Sequence, residues 1–178
     1  MINDRIVITG VGVVSPNGIG KDAFWQALKE GRSGIKAIRR FDTNRFRSKL
    51  GGEIDNFDPA SYLGEKGLRD LDRTTRLLCS SAKMAIDDSD LIITEKNTDN
   101  IGVTTGTTLS ALWNIAEFDR QLIQDGPQFT DAALFPGTVM NAASSRISIL
   151  FNIQGFNTTV SNGYTSSLDA LRYAVDFI

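Results

Sequence analysis

Histidine is absent from all 178 residues, and a single cysteine, Cys79, is the only thiol. Without an imidazole the chain cannot complete a Ser-His-Asp or Cys-His arrangement by itself, and it lacks the commonest metal ligand. One soft ligand makes no zinc site, so no metal is expected, and no cofactor is expected either. A lone cysteine makes no internal disulfide, which fits a reducing, cytoplasmic compartment. The net charge of -2 gives no large field of either sign, which argues against a dedicated nucleic-acid binder. No apolar run nears the roughly 20 residues of a membrane helix, and the start, MINDRIVITG, has no secretory signal pattern. Neither nucleic acid nor membrane is an expected partner.

What is present reads as alternating strands and helices. RIVITGVGVVS, Arg5 to Ser15, is β-branched and almost continuously apolar, as in a strand covered on both faces. Pro16-Asn17-Gly18 is turn chemistry, and Asp22 is placed to cap a helix through Phe24, Trp25, Ala27 and Leu28 that ends near Gly31. Residues 35–59 are polar and glycine-punctuated without a sustained period, which reads as a lid or loop excursion. Leu68, Leu71, Thr75, Leu78, Ala82 and Ala85 recur at spacings of three and four, predicting a helix over 68–87. NIGVTTGT (100–107) is a second strand, 111–124 a helix with Leu112, Ile115, Phe118 and Ile123 inward, and 138–151 another helix. Phe156 to Ser161 is a third strand; Ser166 with Asp169 then suggests a capping box before a helix facing inward through Leu168, Leu171, Val175 and Ile178. This order predicts an α/β fold with a mixed, mostly parallel sheet. A further strand is expected after Ile178, so the chain reads as a piece of a longer protein.

Several constellations have plain explanations. Gly10-Val11-Gly12 has the start of a dinucleotide fingerprint, but Ser15 and Pro16 replace the glycine and helix that should follow, which favours close packing. Asp87-Asp88-Ser89-Asp90 lacks the glycine and distal glutamate of a calcium loop and reads as a solvated helix end. Cys79, on a helix face, reads as a small buried hydrophobe. Residues 35–50 carry Lys36, Arg39, Arg40, Arg45, Arg47 and Lys49 against Asp42 alone, with Phe41 and Phe46 between them. That stretch is either a solvated lid or a contact for phosphates or an acidic protein.

The turn in VSNGYTSSLDALRYA carries the most specific signal. Together with RIVITGVGVVSPNG, FWQALKEGRSGI, FDT, IGVTTGT, DGP and FPGTVMNAASSRISILFNIQG, it makes nearly the whole chain resemble the N-terminal half of a β-ketoacyl-acyl-carrier-protein synthase, a thiolase-superfamily condensing enzyme. The resemblance implies a thiolase-like domain over 1–178, helices flanking the sheet in a layered α-β-α arrangement, dimerisation, and an acyl carrier protein as partner. It also implies two histidines and a lysine supplied by a C-terminal half. The family's nucleophilic cysteine falls on Tyr164. A thiol in water titrates near 8.5 and a phenol near 10, and a helix dipole of about 1 kcal/mol moves either by less than one unit. A bulkier ring is also expected to fill the approach of a thioester.

The resemblance therefore implies that Tyr164 is inactive in acyl transfer. The chain then looks like a chain-length-factor-like subunit of fatty acid or polyketide synthesis, paired with a catalytic ketosynthase subunit or with itself. Chain-length factors often carry glutamine at this position, so tyrosine departs from that pattern as well. The alternative is a catalytic 3-oxoacyl-carrier-protein synthase or malonyl-carrier-protein decarboxylase with an atypical site. By the same resemblance Leu109 lines the acyl pocket, Leu134 reaches the dimer interface and borders substrate, and Lys66 and Arg69 match the carrier-protein docking patch. Asp70 stands where another basic residue is common.

Overall fold

Val14–Ser15 (β1) and Gly18–Ile19 (β2) form a short antiparallel hairpin in the computed structural model, which describes residues 5–178, with Asp70 described by its backbone alone. The Pro16-Asn17 turn closes it, and the Ser15 hydroxyl donates to the Gly18 carbonyl at 3.0 Å. Helix α1, Lys21–Lys29, follows. Its N-cap is Gly20 and not the expected Asp22, which lies in the first turn, where a carboxylate still faces the positive end of the helix dipole. Lys36–Ala37 (β3) and Leu50–Gly51 (β4) make a second antiparallel hairpin, and Ala60–Leu63 (α2) is a single turn of helix.

Helix α3 is Arg73–Asp88, preceded by a 3-10 turn at Leu68–Asp70 where a continuous helix was expected. Leu71 ends that turn in extended backbone, which breaks the helical run between the two pieces. Next come Val103–Gly106 (β5), Leu112–Gln124 (α4), Ala142–Phe151 (α5), Asn157–Val160 (β6) and Ser166–Phe177 (α6). β5 and β6 pair in parallel with Val103 opposite Asn157 and Gly106 opposite Val160. Two compact units result, one of residues 5–8, 66–79 and 92–178, the other of residues 9–65 and 80–91.

In the second unit, a Cβ added at Gly10 would stand 2.2 Å from the Ala85 carbonyl oxygen and one at Gly12 1.9 Å from that of Ser81. These glycines admit the helix backbone, which is the packing reading of that motif. The Asp88 carboxylate, expected in solvent, accepts from Lys21 and, at 2.9 Å, from the Val11 amide. The lysine bond first, and the amide second, hold its carboxyl below the usual range.

Three expectations about covered faces are corrected. Residues 5–13 form no strand, and Ile6, Val7, Ile8 and Val11 are exposed, because among the described residues no strand pairs with them. Helix α4 has no buried residue; Leu112, Ile115 and Ile123 are exposed, and Phe118 meets Phe135 at 5.9 Å between ring centres. In α6 the large residues Leu168, Leu171 and Val175, and Ile178 just after it, are exposed, while Ser166 and Ala170 are buried. An amphipathic pattern states that a face is apolar; it does not state which face the nearest element covers. The expected start of α5 near 138 moves to Ala142, because Ala132–Gly137 closes as a 3-10 segment with Asp131 accepting from the Ala133 amide at 2.9 Å.

Candidate functional site

A sharp strand-to-helix bend links β6 to α6. Gly163 adopts φ 75°, a left-handed conformation that costs a residue with a Cβ but suits glycine. Gly163–Thr165 then forms a 3-10 turn that runs into α6. Hydroxyls and amides lock this bend from several sides. The Ser166 hydroxyl accepts from the Asn162 amide at 2.9 Å and donates to the Gly163 carbonyl at 2.7 Å. Thr108, just after β5, donates to the same carbonyl at 2.9 Å. The Asp169 carboxylate accepts from Thr165 Oγ1 at 3.0 Å and Asn162 Nδ2 at 3.2 Å. The capping box expected from Ser166 is thus corrected: Ser166 is the first residue of the helix, its N-cap is Thr165, and Ser166 ties the bend backwards.

Tyr164 sits at the apex with a relative exposure of 107 %. Its ring stacks on nothing and its hydroxyl makes no hydrogen bond among the described residues. The bend therefore holds the ring out in solvent at the start of α6, where it fills no channel among the described residues, contrary to the expectation from its bulk. Leu109, exposed, follows the Thr108 that is pinned to the bend. Leu134 is half-buried in the 3-10 segment Ala132–Gly137, whose Gly137 carbonyl accepts from Asn114 of α4 at 2.9 Å. Lys66 and Arg69 are exposed and make no ion pair among the described residues. Of the predicted positions, only Leu109 adjoins a residue, Thr108, that hydrogen-bonds to the bend.

A part-buried hydroxyl chain that periodicity had not singled out joins β5, β6 and α5. Thr105 of β5 and Thr159 of β6 stand opposite each other with oxygens 2.8 Å apart, and Thr159 lies 2.9 Å from Ser144 of α5, which donates to the Asn141 carbonyl at 3.0 Å. The hint in the sequence is threonine inside both VTTG and NTTV. Thr159→Val removes the middle of the chain and leaves Thr105 buried without its partner. We expect a loss of about 1–3 kcal/mol in chemical denaturation, and less than the summed single effects for the Thr105→Val/Thr159→Val pair, since removing both partners leaves no orphan between them.

The only thiol is elsewhere in function as well as in place. Cys79 is 0 % exposed, and burial pushes its thiol up to about 11, with Arg146 opposing and Asp72 adding to the rise. The nearby guanidinium was not anticipated from sequence, but it does not win. Iodoacetamide at pH 8 should leave native Cys79 unmodified and alkylate it only after unfolding, as read by intact mass. A raised thiol also means that stability holds below the unfolded value of 9.0 and falls as pH climbs towards about 11. Among the described residues no group of three or more His, Cys, Asp or Glu side chains could hold a metal ion, and no helix is long and apolar enough to cross a membrane.

A parallel β5–β6 pair backed by α5 and α6, with a strand-to-helix bend at Gly163, is the layout of a thiolase-like ketosynthase half. A β-ketoacyl synthase from Burkholderia phymatum superposes on 97% of this chain and 43% of its own length with a TM-score of 0.82 at 22% identity, which speaks for the fold. The structure described as the ishigamide ketosynthase/chain length factor covers 95% of this chain and 44% of its own, with a TM-score of 0.76 and 29% identity. Residues 3–178 match the family described as Beta-ketoacyl synthase, N-terminal domain, and the chain belongs to that family. A curated relative, 3-oxoacyl-(acyl-carrier-protein) synthase 2 of Coxiella burnetii, is 36% identical over 175 residues, 98% of this chain and 42% of the relative. The chain thus spans less than half the length of that relative.

Proposed function

We propose that this chain is the N-terminal part of a condensing-enzyme subunit of fatty acid or polyketide synthesis that does not itself carry the acyl intermediate. It acts by pairing with a ketosynthase subunit that supplies the reacting thiolate. The observation that carries the reading is Tyr164, alone at the apex of a bend built to present a nucleophile. Acyl transfer to an enzyme needs a thiolate there, and the one thiol of the chain is buried and held protonated. The likeness to a ketosynthase/chain length factor pair supports the paired role. On this reading Leu109 and Leu134 border the acyl chain or the subunit contact, Lys66 and Arg69 contribute to carrier-protein docking, and the chain forms a thiolase-like N-terminal domain.

The test is covalent labelling of the full-length protein with its co-purifying chain, using a cerulenin-type thiol label and peptide mapping by mass spectrometry. The expected result is an adduct on the co-purifying ketosynthase and none on the Tyr164 peptide. An acyl or label adduct on that peptide would overturn the reading, as would isolation of the protein only as an active homodimer.

A further inference from the structure

The loop between β3 and β4 is a preformed basic surface that the reading above does not use. Its base is fixed by Glu53, only 8 % exposed, whose carboxylate accepts from the Arg39 amide at 3.1 Å and the Arg40 amide at 2.9 Å. Inside the loop the single acid, Asp42, is occupied by the Asn44 amide at 3.0 Å, Phe46 N–H donates to Thr43 at 2.9 Å, and Lys49 donates to the Thr43 carbonyl. Asp55 pairs with Lys36 and, at 2.7 Å, with Arg39. Arg40, Arg45 and Arg47 are left exposed and without an ion pair among the described residues. Between them Phe41 and Phe46 lie edge-to-face, 5.5 Å apart, and remain 54 % and 57 % exposed.

We infer that Arg40, Arg45 and Arg47 with the Phe41–Phe46 pair form a docking surface for an acidic protein segment that carries an exposed aliphatic side chain. Arginine and aromatic residues are the types enriched at the energetic centres of protein interfaces, and unpaired guanidinium groups seek carboxylates. Two apolar rings left in water on an ordered loop lose that exposure when an aliphatic side chain covers them. An edge-to-face pair presents one small apolar patch, not the successive flat platforms on which single-stranded bases stack.

The probe is a fluorescein-labelled 12-residue peptide of repeating Asp-Glu-Leu, titrated against the full-length protein by anisotropy. A polyglutamate peptide and a single-stranded oligonucleotide of equal charge serve as comparisons. The leucine-bearing peptide should bind more tightly than either. Arg40→Glu/Arg47→Glu and Phe41→Ala/Phe46→Ala should each weaken it about tenfold or more, while Arg40→Lys/Arg47→Lys keeps most of the affinity. The side chains of Arg40, Arg45 and Arg47 make no ion pair among the described residues, and matching thermal melts would confirm intact variants. Binding unchanged in the loop variants, tighter binding of the oligonucleotide, or loss confined to Lys66→Glu/Arg69→Glu would each overturn the assignment. None of these outcomes depends on whether Tyr164 is inert.

Discussion

Tyr164→Cys should convert a chain that takes no label at the bend into one that takes a single equivalent of a cerulenin-type thiol label. The backbone needed for this is already in place: Gly163 at φ 75°, its carbonyl fixed by Thr108 and Ser166, and Asp169 holding Asn162 and Thr165. A free thiol is about 3% ionised at pH 7, and a helix N-terminus contributing up to about 1 kcal/mol raises that fraction several-fold. Full exposure at the apex removes the desolvation that keeps Cys79 protonated. Labelling is read by intact mass, with Cys79 as the internal control that stays unmodified. If the variant folds and takes no label at position 164, the bend is not a nucleophile platform and the family's chemistry does not transfer to it.

Gly106→Ala is expected to be the most damaging small substitution near the site. A Cβ there would lie 2.3 Å from the Ser166 carbonyl oxygen and 2.5 Å from the Ser167 amide nitrogen. These are backbone atoms at the start of α6, so no side chain can swing aside and the helix must move off β5. Overpacking typically costs about 1–3 kcal/mol, and contact with backbone that cannot swing aside puts this position at the upper end. Displacing α6 also breaks the Ser166 and Asp169 contacts that shape the bend. The prediction is a large fall in the denaturation midpoint, together with loss of the label uptake gained by Tyr164→Cys when the two substitutions are combined. An unfolding free energy within about 0.5 kcal/mol of the parent would mean the helix can shift freely.

The turns were legible because their chemistry is local. Pro16-Asn17-Gly18 closes a hairpin and Asn162-Gly163 makes the strand-to-helix bend, each from residues adjacent in the chain. The strands at Val103–Gly106 and Asn157–Val160 also fall within the predicted runs. The caps were less legible. Gly20 is the N-cap of α1 without any side-chain cap bond, and the Ser166 hydroxyl is taken by the Asn162 amide and the Gly163 carbonyl in place of a capping box.

By itself the sequence determined the alternation of helices with β5 and β6 in the second half of the chain, the family motifs, the missing imidazole and the phenol at position 164, since each depends only on residue identity and spacing. Tertiary structure alone decided which faces are covered: small Ser166 and Ala170 are buried while Leu168 and Leu171 stay exposed. It also decided that Asp88 serves Val11 and Lys21, and that hydroxyls from β5, β6 and α5 join. The reason is physical. Periodicity records that a side chain is apolar or polar, whereas close approach depends on what another segment, dozens of residues away, brings within a few ångströms.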